Sequence, residues 1–148
     1  MYSKQEATLI RKNFWTVLGQ YLAPTPSASH EKVNWINYKT GVRYIQFHLD
    51  ADNTHAKVAI KITHPDMQTR LAYFNLFKQL KKDLPGFNVN EDSVNGNGNR
   101  CCAIDKELIN VNIYRQEDWP AIIGFFKENM ICIDALWVAN KPIFEMIG

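Results

Sequence analysis

A chain of 148 residues, 46% apolar and 22% charged, is long enough to bury a core as one domain spanning residues 1–148. Its net charge of +2, spread rather than clustered, argues against binding driven by a strong basic field. No apolar run reaches the roughly 18 residues of a membrane span, and the polar start at Ser3–Glu6 is not a signal core. These features exclude a membrane partner and lead us to expect a cytoplasmic location.

In chain order, Ser3 and Glu6 have the spacing of a capping box, so a helix is expected to start there. Ala7, Ile10, Phe14, Val17, Leu18 and Tyr21 repeat at helical spacing as one buried stripe, with Leu9 off it. Pro24 and Pro26 end the helix near Ala23. Three strands are then expected over Val33–Tyr38, Val42–Asp50 and Lys57–His64. Period-two alternation in the last two marks one buried face. With Asp50 opposite Lys57, Leu49 meets Val58, Phe47 meets Ile60 and Ile45 meets Ile62. His48, Gln46 and Tyr44 then face Ala59, Lys61 and Thr63 on the other side. A slip of one residue would mix the faces, so this register is strongly specified. Gly41 supplies the positive φ of a three-residue hairpin turn. That turn places Trp35 and Val33 inside, with Ile36, Tyr38 and Tyr44 on the outer face.

Pro65 and Asp66 open a second helix reaching about Leu84, apolar on enough sides to be sandwiched between sheet and another helix. Strands are expected over Phe87–Val94 and Arg100–Ile104, joined by a flexible turn at Asn95–Asn99, with Val111–Tyr114 as a further extension. A third helical region runs from Asp118–Pro120 through Val138. It is apolar nearly all round, so it is buried or pairs with another subunit. Pro142 is expected to break or kink it, leaving Ile143–Ile147 as a short last turn. The expected fold class is α+β: N-terminal helix, antiparallel three-strand meander, helix, further strands, and a C-terminal helical region packed on the sheet.

The chemistry-bearing residues form few patterns. His30, His48, His55 and His64 are scattered, and no pair has zinc-motif spacing. Three cysteines, with Cys101 and Cys102 adjacent, are neither a disulfide framework nor C-x-x-C, which fits reduced thiols in the cytoplasm. Asp50, Asp52 and Thr54 resemble the opening of a calcium loop, but His55 stands at the glycine position and no closing glutamate follows. The glycines of Asn95–Asn99 do not run into a helix with a lysine, as a phosphate loop requires. No G-x-S-x-G is present, and no cysteine has a nucleophile context. We therefore expect no catalytic residue, no cofactor and no metal.

The element order is similar to the restriction-endonuclease-like core, where an acid near the second strand's end and an acid-x-lysine on the third bind magnesium. Asp50 and Lys61 occupy two of those positions, but Ala59 stands where the other carboxylate belongs. The resemblance implies at most a degenerate, nuclease-like version. A more specific resemblance rests on three strings. They are Asn13-Phe-Trp-Thr16 with Gly19-Gln-Tyr21, then Val33-Asn-Trp-Ile-Asn-Tyr-Lys-Thr-Gly41, and Trp119-Pro120 after Val111-Asn-Ile-Tyr114. Together they resemble a bacterial family known as domain of unknown function 4268. The resemblance implies a small bacterial α+β module without assigned activity, of a kind that also sits behind nuclease-like domains.

Two functions are expected from these residues. The first is a non-enzymatic interaction module whose partner is a second copy or another protein, binding through Ile36, Tyr38 and Tyr44 and through the apolar third helix. The second is nucleic-acid binding on the outer sheet face, where Arg43, Lys57 and Lys61 meet phosphates and Tyr44 or Trp35 stacks on a base. The second includes the degenerate nuclease-like domain, with its magnesium-dependent activity lost or residual.

Overall fold

The computed structural model describes residues 2–94 and 98–148. It is an α+β fold: helix α1 (Lys4–Leu22), strands β1 (Ile45–Ala51) and β2 (His55–Ile62), helix α2 (Met67–Gln79), strands β3 (Asn88–Val94) and β4 (Arg100–Ile109), and helix α3 (Trp119–Ile147). The four strands form one antiparallel sheet in the order β1-β2-β4-β3. Helices α2 and α3 pack on one face of it.

The register of the first hairpin is the one its alternation specifies. Ile45, Phe47 and Leu49 lie opposite Ile62, Ile60 and Val58, and His48 lies opposite Ala59. All six apolar members of these pairs are buried. Strand β4 continues the buried face with Cys102 and Ile104 beside Ile62 and Ile60. The loop after β1 is held by Asp52, whose Oδ1 accepts hydrogen bonds from the backbone N–H of Thr54 (2.8 Å) and His55 (2.9 Å). Those bonds favour the ionised carboxylate, the Thr54 N–H most, and hold its pKa below the usual value.

The helices start where the sequence signals them. Ser3 caps α1 by accepting from the Glu6 N–H at 3.1 Å, and Asp66 caps α2 by accepting from the Thr69 N–H at 2.9 Å. Phe14, Leu18 and Leu22 carry the buried side of α1, whereas Val17 and Tyr21, expected on that stripe, are exposed. The reason is that α1 rides on the edge of the helical layer and buries a narrow face. Gly19 lies inside this helix, where glycine costs about 1 kcal/mol relative to alanine. Helix α2 stops at Gln79 and a 3-10 turn (Lys81–Asp83) completes the distance to Leu84.

Several expectations are corrected. Val33–Tyr38 is not a strand; the segment from Pro24 to Tyr44 is irregular. Asn34 Oδ1 accepts from the N–H of Ile36 (3.1 Å) and Asn37 (3.0 Å), so those donors have turn partners instead of a neighbouring strand. Val111–Tyr114 is no strand either. It crosses the hairpin tip, with the Ile113 N–H donating to the Asp52 carbonyl at 3.0 Å. Strand β4 runs on to Ile109, past the expected Ile104. Helix α3 is one helix of 29 residues with Pro142 inside it and no separate last turn. Residues 95–97 of the expected turn Asn95–Asn99 lie outside the described residues.

The irregular segment is fastened from α3. The Asp134 side chain is buried and accepts hydrogen bonds from Ser27 Oγ (2.7 Å), the Ala28 N–H (2.7 Å) and Tyr38 Oη (2.5 Å). One turn later, Trp137 Nε1 donates to the Thr40 carbonyl at 3.0 Å. The Trp137 ring meets Phe47 edge-on at 5.5 Å and stacks on Phe77 at 6.2 Å. Burial, reinforced by the hydrogen bond and the negative charge of Asp134, pushes the Tyr38 hydroxyl far above its usual pKa.

Asp134→Ala should lower stability by about 3 kcal/mol, because three donors lose a buried acceptor. Urea unfolding at pH 7 measures this, and a change under 1 kcal/mol would contradict the fastening role. Tyr38 has a folded-state pKa raised above its unfolded one, so its contribution is complete below about pH 10 and declines as pH rises beyond it. Unfolding midpoints from pH 8 to 11 should show that decline in the parent chain and a shallower one in Tyr38→Phe.

Candidate functional site

The six residues expected to form one binding face do not share it. Tyr38 packs at 5.0 Å against Phe47 on the buried side of the sheet and reaches Asp134. Ile36 packs against the core and borders a groove beside α1. Both corrections follow from the missing first strand, since without a ladder nothing turns alternate residues outward. Arg43 and Tyr44 sit at the corner where β1 begins. The Arg43 guanidinium lies 4.8 Å from the Tyr44 ring centre, and His64 meets the same ring edge-on at 4.8 Å. Tyr44 has φ +72°, a strained value for an aromatic residue, accommodated as its carbonyl accepts from the Thr63 N–H at 2.8 Å.

Lys57 and Lys61 do lie on the outer sheet face, with Gln46, His48, Asp50, Ala59, Asp105 and Glu107. Lys57 is paired with Asp105 at 3.6 Å. Two lysines therefore share the face with three carboxylates, which leaves it without a positive field for phosphates. Trp35 is buried, donating from its indole to the Thr25 carbonyl at 2.9 Å. The register also separates the nuclease-like pair. Asp50 lies opposite Lys57 and Lys61 opposite Gln46, which puts Asp50 and Lys61 about 14 Å apart along the strands at ~3.4 Å per residue. Among the described residues no group of three His, Cys, Asp or Glu side chains is placed to hold a metal ion.

His48 projects from the middle of this face. Partial burial, with the charge of Lys61 next, lowers its pKa below the usual histidine value. Its contribution to stability is thus full above about pH 6.5 and falls as the pH drops through the lowered folded value. The unfolding midpoint should fall less between pH 7.5 and 5 in His48→Gln than in the parent chain. Equal slopes would mean that the ring gains nothing from being neutral.

Two larger features lie elsewhere. One is the outward face of α3, where Ala121, Gly124, Glu128, Ile131, Ala135, Ala139, Ile143 and Met146 are all exposed. Their mixed three- and four-residue spacing keeps them on one side of the helix, and Glu128 is the single charge among them. The helix is apolar nearly all round in sequence, so its pattern alone does not show which side faces solvent. The other feature is a pair of grooves flanking α1. One, of about 440 Å³, runs between Val17, Tyr21, Trp119 and Ile123. The second, of about 750 Å³, runs between α1 and residues 32–37. Most of that wall falls within Val33–Tyr38, the segment whose pattern suggests a strand.

Among the described residues no helix is long and apolar enough to cross a membrane. Cys101, Cys102 and Cys132 are free thiols, and burial raises the pKa of Cys102, which makes it a poor nucleophile.

No curated protein and no solved structure matches the chain. A family model does match, over residues 10–141, and that stretch takes in all three strings that suggested the resemblance. The chain belongs to the family described as domain of unknown function DUF4268.

Proposed function

We propose that the protein is a non-enzymatic interaction module of the bacterial cytoplasm, and that its partner on α3 is a second copy of the same chain. The observation that supports this reading is the outward face of α3, exposed and nearly uncharged over the length of the helix. Alanines and a glycine on that face let two helix backbones approach closely, and Ile131 near its middle supplies an apolar anchor. A face with one charge has little need of a complementary partner and can pair with itself about a two-fold axis.

Size sets the expected strength. A helix of 29 residues is about 43 Å long and ~10 Å wide, or roughly 430 Å² in projection per copy. Two such faces bury close to the lower limit of about 1,000 Å² for a specific interface. A weak dimer, with Kd of micromolar order, follows.

Sedimentation equilibrium between about 1 and 500 μM should show concentration-dependent dimerisation. Ile131→Glu should weaken it at least tenfold while leaving the circular dichroism spectrum unchanged, because the side chain is exposed. A monomer throughout that range, or a dimer indifferent to Ile131→Glu, would refute the dimer. The free thiols fit a reducing compartment. The charge balance around Lys57 and Lys61 favours this reading over nucleic-acid binding.

A further inference from the structure

The groove between α1 and residues 32–37, about 750 Å³ in volume, has an apolar floor and a cationic rim. Trp15 and Gly19 of α1 form one wall, Val33 and Ile36 the other, and Lys12 and Lys32 stand at its edges. No aspartate or glutamate lines it. Neither lysine belongs to an ion pair among the described residues, whose pairs all lie elsewhere.

Two details of its walls bear on what the groove can hold. The first is Trp15. The indole N–H groups of Trp35, Trp119 and Trp137 all donate to backbone carbonyls, whereas that of Trp15 has no acceptor among the described residues. Since no buried side-chain polar atom is left unpaired there, this N–H reaches solvent and is available to a ligand. Its ring is held in place by stacking on Phe126 at 5.8 Å. The second is Gly19, a helix-interior glycine that the helix itself does not call for. A Cβ at this position would meet only Ile36 Cδ1, at an ordinary 3.5 Å, and its φ is not left-handed. Neither packing nor backbone angle requires glycine, and its missing side chain leaves the groove wider at this point.

We propose that this groove docks an acidic peptide segment of another protein. A bulky apolar side chain of the peptide occupies the space beside Gly19, its carboxylates meet Lys12 and Lys32, and a backbone carbonyl accepts from the Trp15 indole. Asn34 adds a donor, because its Oδ1 is occupied by the Ile36 and Asn37 N–H groups and its exposed amide NH₂ is left to the ligand. Two rim cations suit one or two carboxylates. A nucleic acid draws its affinity from a longer series of phosphate contacts. The proposal goes beyond the dimer and shares no residue with the outward face of α3, so either can fail while the other stands.

The probe is a short fluorescein-labelled peptide of glutamates and aspartates flanking a central leucine–phenylalanine pair, titrated into the full chain. Anisotropy should report binding that weakens with added salt, and the amide analogue of the peptide should bind at least tenfold more weakly. In ¹⁵N–¹H spectra the Trp15 indole peak should shift while that of Trp137, which lies outside the groove, stays in place. The double variant Lys12→Glu, Lys32→Glu should lose at least tenfold in affinity, and Gly19→Leu should abolish binding. Gly19→Ala, which suits the helix, should fold at least as well as the parent and still bind several-fold more weakly. Absence of binding up to millimolar peptide would overturn the proposal. So would equal binding of the amide analogue, or an affinity unchanged in Gly19→Leu. A mixed-sequence single-stranded DNA that shifts the Trp15 peak with greater affinity than the peptide would also overturn it, in favour of a nucleic acid.

Discussion

One turn of α3, from Asp134 to Trp137, sets the position of the irregular segment that links α1 to the sheet. The carboxyl of Asp134 gathers donors from Ser27, Ala28 and Tyr38, and the indole of Trp137 takes the Thr40 carbonyl. A buried carboxyl is tolerated only when its oxygens are satisfied, and here its partners all come from the segment that links α1 to β1. That segment has no regular hydrogen bonding of its own between Pro24 and Tyr44. The polar contacts to α3 stand in for the ladder that a strand would have supplied. They also account for the burial of the polar residues Ser27 and Thr40.

The same turn connects this polar fastening to the aromatic core. Trp137 lies among Phe47 of β1, Phe77 of α2 and Phe144 of α3 itself. Sheet, both packed helices and the irregular segment thus meet at one side chain. A helix occupied in this way on its inner side has only its opposite side free. That side is the row from Ala121 to Met146, where apolar residues meet solvent. The groove beside α1 has a related origin. Helix α1 is attached through Phe14, Leu18 and Leu22, and the irregular segment passes alongside instead of pairing with it, so a channel stays open between them.

These arrangements separate two surfaces with different chemistry. The face of α3 is almost uncharged and built of small side chains, which suits close contact with an equally uncharged surface. The channel at α1 combines tryptophan and isoleucine with two lysines and an indole donor that have no partner among the described residues, which suits an anionic ligand with an apolar body. On the outer face of the sheet the lysines are offset by Asp50, Asp105 and Glu107.

The first hairpin was legible in the sequence down to its register, because pairing Asp50 with Lys57 keeps Phe47 and Ile60 on one side and a slip of one residue would separate them. The starts of α1 and α2 were legible too, since a capping side chain bonds backbone three residues away and needs no tertiary partner. Family membership could be read from three short strings for the same local reason. The surfaces proposed for binding could not. Ile36 and Tyr38 alternate as a strand would, but whether their segment joins a sheet depends on Asn34 capturing two N–H groups and on Asp134, 96 positions beyond Tyr38, capturing the tyrosine hydroxyl. Continuation of α3 through Pro142, the side of that helix left to solvent, and the channel beside Gly19 all arise from packing between elements far apart in the chain. Local pattern decides what a segment can form by itself; burial against distant partners decides which face remains available for function.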